Sequence, residues 1–155
     1  FTNDKHQVRI TASTHDTRGI IQNSSKEALD NSKRLSEKVN KNLVDFTYFE
    51  LDEQTGAETI ILSYGITALA CREAVQILRK QNKKISLLIA KTIFPVTPDY
   101  FDILNKYKRI VIPEENLSGQ YRKLLFGQNH DKNICGVNEF GKMICPDIIV
   151  KEVLK

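Results

Sequence analysis

The sequence predicts an α/β fold on a largely parallel sheet with helices covering both faces. Three observations carry that prediction. Residues 59–63 (TIILS), 85–90 (ISLLIA) and 109–113 (RIVIP) are short, unbroken apolar runs, which a strand buried on both sides requires. The stretches between them place apolar residues at helical spacing. The connections are short, so strand and helix alternate as βαβ units, with right-handed crossovers as the default.

Each element can be justified in order. Residues 1–24 are polar and turn-rich and read as a lead-in linker, with His15, Asp16 and Gly19 inside it. Residues 25–43 read as a mostly polar helix capped by Ser24 or Ser25. Leu35, Val39 and Leu43 recur on one face of it, a stripe narrow enough for docking but not for a core. From about residue 45 the texture changes to that of a compact α/β domain running to residue 155, preceded by the linker and docking helix over 1–44. Residues 46–51 (FTYFEL) are rich in β-formers and open this domain as a strand. After 59–63, Gly65 breaks the run and Thr67 can cap a helix from Ala68 to about Lys80. After 85–90 comes the exit KTIFPVTP, where Thr97 and Pro98 suit the cap and first turn of a helix to about Asn105. The run 109–113 leads to a helix over about 118–126. Residues 134–138 (ICGVN) give a last strand, and Pro146 opens a terminal helix to Leu154.

Composition bounds the function. A chain of 155 residues, 41% hydrophobic and 27% charged, is long enough for a sizeable core and removes roughly 70% of its unfolded surface on folding. The formal charge of +4 is modest. The basic runs 79–84 and 106–109 share one aromatic, which reads as solvated helix ends rather than a nucleic-acid surface. Cys71, Cys135 and Cys145 form no CxxC pair, too few for a zinc or iron–sulfur site and odd in number for a disulfide framework. A reducing, cytoplasmic setting follows as the expectation. No apolar run approaches the length of a membrane span. The start, FTNDKHQVRI, has neither signal-peptide character nor an initiator methionine, and reads as a chain cut from something longer.

Open α/β sheets bind ligands beyond the carboxyl ends of their strands, so the loops leaving those ends are the candidate sites. The first holds Gly65 and Thr67. It reads as part of a nucleotide loop or as a tight strand-to-helix turn, and the further glycines of a dinucleotide fingerprint are missing. The second offers Lys91, either an anion anchor or a base, or a surface cation paired with a carboxylate. The third is VIPEENLSGQ, with Glu114, Glu115, Asn116, Gly119 and Gln120. Asn116 suits an N-cap, and helix amides would welcome an anion, but two glutamates repel a phosphate there. Gly119 in a first turn is a poor helix former, a sign that another group lies close. The segment reads as structural or as a contact surface in preference to a catalytic pair. His6, His15 and His130 are scattered, no nucleophile sits in a recognisable setting, and no residue is assigned to catalysis, cofactor or metal.

Taken together, HDxxG at His15–Asp16–Gly19, the charged helix, ILSYGIT, KTIFP and IVIPEENLSGQ resemble the C-terminal domain of the alpha subunit of 2-oxoacid:ferredoxin oxidoreductases. The similarity runs from about residue 9 to the end, and the EExxxGQ segment is its most specific part. ICGVNEFG also looks like the last strand of transketolase C-terminal domains. The resemblance implies a three-layer α/β/α fold with a five-stranded, mostly parallel sheet and one antiparallel strand, matching five strands read above. It implies a parent enzyme that oxidatively decarboxylates a 2-oxoacid with coenzyme A, with 2-oxoglutarate slightly favoured over pyruvate or branched-chain 2-oxoacids. Thiamine diphosphate, Mg and an iron–sulfur cluster are implied for that parent complex and none for this chain. The partners implied are an upstream pyrimidine-binding domain of the same subunit, a beta subunit and, through the complex, ferredoxin, in a homo- or hetero-oligomer; no nucleic acid or membrane is expected. The isolated chain is then inactive. Alternatives are an independent module binding coenzyme A or a nucleotide at Gly65 and Lys91, and the matching domain of a transketolase or a dehydrogenase E1 component.

Overall fold

The computed structural model describes residues 13–129 and 131–155, so His6, His130 and the first half of the lead-in segment lie outside the described residues. The chain divides into two compact units, residues 1–45 and 46–155.

In the first unit a turn joins a single antiparallel bridge between His15 and Ile21. Helix α1 (Lys26–Lys41) follows, and Ser25 caps it by accepting the Ala28 amide. The helix stops two residues before the expected end, where the Asn42 amide turns back onto the Val39 carbonyl. A single turn, α2 (Leu43–Phe46), spans the division.

The second unit is built on five strands: β1 (Phe49–Asp52), β2 (Thr59–Tyr64), β3 (Ile85–Ala90), β4 (Arg109–Glu114) and β5 (Ile134–Asn138). Their order across the sheet is β1-β3-β2-β4-β5, with β1 antiparallel to β3 and every other pair parallel. This is the mixed five-stranded sheet that the resemblance implied. Strand β3 is buried along its whole length, as its unbroken apolar run requires. Alternate residues of the central strands feed two cores. Ile61, Leu87, Ile89 and Val111 pack under α3 (Thr67–Lys80) and α6 (Pro146–Val153). Ile60, Leu62, Leu88, Ile110 and Ile112 pack under α4 (Pro98–Leu104) and α5 (Gln120–Phe126). A sheet with helices on both faces therefore arises from the period-two alternation of side chains.

Strand β1 starts three residues later than its composition predicted. The preceding segment is bound differently: Tyr48 O accepts the amides of Lys91 and Thr92, and the Thr92 hydroxyl donates to Phe46 O. Helix α3 begins at Thr67 itself, not after it. Gly65 at φ +57 turns the chain so that its own carbonyl takes the Ala68 amide, and Ile66 is the N-cap with no side-chain bond. Thr97 does cap α4, accepting the Asp99 amide ahead of Pro98. Among the described residues no helix is long and apolar enough to cross a membrane.

Candidate functional site

The connections from β2 and β4 leave the sheet to opposite faces, β2 to α3 and β4 to α5. Their strands are neighbours, so the crevice outside their carboxyl ends is the switch point where open α/β sheets hold ligands. Here the chain fills that crevice with its own side chains. Tyr64, the last residue of β2, packs edge-on against Tyr121 of α5, with ring centroids 4.9 Å apart. Its hydroxyl donates to Glu114 Oε2 at 3.3 Å. Burial, reinforced by the Glu114 carboxylate, pushes the Tyr64 phenol up to about 12.

Glu114 is the centre of this arrangement and only 1% exposed. Its Oε2 accepts the Tyr121 amide at 2.7 Å and the Asn116 side-chain amide at 2.9 Å, and its Oε1 accepts the Arg122 amide at 3.0 Å. Asn116 Oδ1 takes the Ser118 and Gln120 amides, and the Lys123 amide reaches Gly119 O. Every amide from Gln120 to Lys123 is therefore satisfied inside the chain. The partial positive charge of the helix start already has its anion, a fixed carboxylate. A phosphate would find neither donors nor space, and Glu114 is shut off from any substrate that would need an acid or a base.

These contacts correct three expectations. Helix α5 starts at Gln120 rather than 118, because Gly119 occupies the N-cap at φ +65. Asn116 is not that cap; it makes an Asx-type turn four residues before the helix. Glu114 is buried, so it forms no part of a contact surface, while Glu115, Asn116 and Gln120 retain exposed area. The close neighbour expected at Gly119 is the Arg122 guanidinium, 3.0 Å from where a Cβ would stand. Sequence reasoning missed Tyr64, Tyr121 and Arg122. The alternation of β4 carried the signal: Glu114 shares its face with Ile110 and Ile112, under α5.

The other strand-end loops hold less. Lys91 is exposed and paired with Glu50 of β1, which Arg72 of α3 also binds. An added Cβ at Gly65 would meet nothing within 4 Å, so within the chain this glycine serves the left-handed turn and no close packing contact. Between them is an open depression of about 420 Å³ lined by Tyr64, Gly65, Ile89, Ala90, Lys91 and Ile93, a largely apolar surface. Thr67 is buried at the start of α3.

The HDxxG motif in the first unit is likewise a closed turn. Asp16 accepts the amides of Arg18 and Ile20 and contacts the Arg18 guanidinium, and Gly19 at φ +77 closes the loop. The Ile20 amide is the largest influence holding the Asp16 carboxyl below its usual range. His15 Nδ1 lies 2.9 Å from Asp16 O.

The residues present fit none of the groups implied for the parent. The described residues contain no cluster of His, Cys, Asp or Glu that could hold a metal. Cys71 is buried on the inner face of α3, Cys135 is half-buried on β5 and Cys145 is exposed before α6. Burial pushes the Cys71 thiol up to about 12, away from a reactive thiolate. The switch-point crevice that would take a diphosphate is filled.

No family model matches the chain. A subunit of 2-oxoglutarate synthase from Methanocaldococcus jannaschii, KorA, is 30% identical over 116 residues, 75% of this chain and 31% of that protein. Among solved structures, a 2-oxoglutarate:ferredoxin oxidoreductase from Magnetococcus marinus, with 2-oxoglutarate, coenzyme A and succinyl-CoA bound, superposes with a TM-score of 0.75. The match is 22% identical and covers 97% of this chain and 27% of that one. A transketolase from Campylobacter jejuni gives a TM-score of 0.50 at 18% identity, over 68% of this chain and 18% of that one. The chain thus spans about a third of the length of the curated relative it matches. The resemblance read from the loop motifs is borne out in sequence, and the transketolase-like architecture in fold.

Proposed function

We propose that this chain, a relative of the alpha-type subunits of 2-oxoacid:ferredoxin oxidoreductases, is the non-catalytic C-terminal domain of such a subunit and serves subunit assembly. Residues 1–44 are its lead-in linker and docking helix, and 45–155 its transketolase C-terminal-like domain. The parent reaction is the oxidative decarboxylation of a 2-oxoacid, 2-oxoglutarate by preference, to an acyl-CoA with ferredoxin taking the two electrons. Thiamine diphosphate would supply the carbanion-stabilising chemistry elsewhere in the complex, between the upstream pyrimidine-binding domain and the beta subunit. The candidate contact residues are Glu115, Asn116, Gln120 and Lys91, and His15, Asp16 and Gly19 form the entry motif of the linker.

One observation carries this reading: the crevice at the switch point is occupied by Tyr64, Glu114 and Asn116, and the amides of α5 are all taken. A domain that has filled its own ligand site is a scaffold. Incubating the purified 155-residue chain with 2-oxoglutarate, coenzyme A, thiamine diphosphate, Mg and an artificial electron acceptor should release no CO2. Turnover by the chain alone would refute the reading.

The ligand-module alternative gains no support from Lys91, which is engaged with Glu50. Calorimetry with coenzyme A and with ATP at millimolar concentration is expected to show no heat.

A further inference from the structure

The assembly reading leaves open which face does the assembling, and the carboxyl ends of β4 and β5 answer it. The loops that leave these two strands are tied side by side. Asn138 Nδ2 donates to Asn116 O at 3.0 Å, the Glu139 amide to Glu114 O at 3.2 Å, and the Ile144 amide to Glu115 Oε1 at 3.1 Å. From this fixed platform Leu117, Phe140 and Met143 project to solvent, 77%, 74% and 64% exposed. Three large apolar side chains on rigid neighbouring loops differ from scattered surface hydrophobes, which need no explanation.

Beside them sits Arg122. Its guanidinium lies in a socket made by two glycines: a Cβ at Gly136 would overlap Nη1, and one at Gly119 would stand 3.0 Å from Nη2. The chain leaves out two side chains to seat this cation, yet its Nε is buried with no hydrogen-bond partner. It forms no ion pair among the described residues, although ten other cation–carboxylate pairs form. The same platform carries the complementary group. Glu115 uses Oε1 on the Ile144 amide, while its Oε2 takes no bond among the described residues.

We propose that this face is a two-fold contact between two copies of this chain. A two-fold interface brings one patch against itself, so the patch must carry its own complement. This one does: an apolar centre, a cation without an ion-pair partner, and a carboxylate with an unused oxygen. Rotation of one copy onto the other sets Leu117, Phe140 and Met143 against their equivalents and Arg122 against Glu115 of the second copy, twice. Arginine's planar fork suits that pairing. The proposal rests on the assembly role given above, and deepens it by naming the surface and the occupant.

The test is sedimentation velocity of the full 155-residue chain over about a hundredfold range of concentration, with circular dichroism confirming that each variant is folded. The unaltered chain is expected to pass from monomer to dimer. R122E sets two carboxylates against each other across the contact, and E115R sets two guanidinium groups against each other. Each alone should weaken dimerisation at least about tenfold, since like charges in an interface repel. Mixed in equal amounts, the two variants place opposite charges at both contacts of the mixed dimer: the introduced carboxylate of R122E faces the introduced guanidinium of E115R at one, and the native Arg122 faces the native Glu115 at the other. The mixed dimer should therefore recover the association that neither variant shows alone. The double variant R122E/E115R likewise restores an opposite pair at both contacts, and dimerisation should return. L117D should abolish association while leaving the chain folded. A chain that stays monomeric throughout, or single variants that dimerise unchanged, or a double variant that fails to recover, would overturn the proposal. None of these results touches the assembly reading itself, which falls only if the isolated chain turns over 2-oxoacid.

Discussion

The loops after β2 and β4 leave neighbouring strands at the same end of the sheet, and they are built in opposite ways. After β2 the chain turns through Gly65 alone, and the first amides of α3 are met by backbone carbonyls. After β4 a buried carboxylate and an asparagine satisfy the first amides of α5. The difference teaches that a turn made by one flexible residue leaves little behind to bind or to break. A turn made around a charged side chain is a small buried network, in which each member depends on the others.

That contrast can be broken by mutation, and the largest effect belongs to Glu114. Removing its carboxylate leaves the Tyr121 and Arg122 amides and the Asn116 side chain without their acceptor. E114A is expected to destabilise the chain by about 3 to 5 kcal/mol in urea unfolding. A loss below about 1 kcal/mol would mean that water substitutes freely and the network is not closed.

The two glycines offer the next comparison, because both are left-handed. Gly119→Ala must strain the backbone and also displace the Arg122 guanidinium, a combined cost of about 2 kcal/mol. Gly65→Ala strains the backbone alone in open space, at about 1 kcal/mol. Chemical denaturation of the pair orders them. Equal costs would show that Arg122 moves aside without penalty.

A pH titration sharpens the role of the tyrosine that links the loops. The Tyr64 phenol has its pKa raised from 10 to about 12 in the folded chain. The stabilisation this reflects is fully present below pH 10 and is lost as pH rises through about 12, because the unfolded phenol ionises first. Thermal melts should therefore decline across that window, and Tyr64→Phe should flatten the decline in part. Tyr121 and Tyr100, also raised by burial, retain the rest. An unchanged slope in the variant would remove Tyr64 from the account. The smallest effect is expected at Lys91→Ala, where the lost pair is exposed and Arg72 still holds Glu50; the melting temperature should stay within replicate scatter.

Much of this architecture was legible in the residues. The unbroken runs at 59–63, 85–90 and 109–113 became β2, β3 and β4 because only a doubly covered strand can bury side chains on both faces. Thr97–Pro98 and Ser25 marked their helix starts through local chemistry that needs no distant partner. Helix α5 and helix α3 were misplaced by one or two residues because a left-handed glycine, not a polar side chain, governs each start.

The candidate site was less legible. VIPEENLSGQ reads as two adjacent carboxylates, and adjacency in sequence hides that strand alternation sends them to opposite sides. Glu114 follows Ile110 and Ile112 into the core under α5, and Glu115 reaches the loop after β5. The sequence by itself determined the fold class, the five strands and the family resemblance, because hydrophobic period and turn chemistry are local properties. Tertiary structure alone decided that Tyr64 closes the crevice, that Glu114 is the anion of α5, and that Arg122 is seated between two glycines without an ion pair. Those outcomes depend on which residues far apart in sequence are brought within hydrogen-bonding reach, and no local pattern encodes that distance.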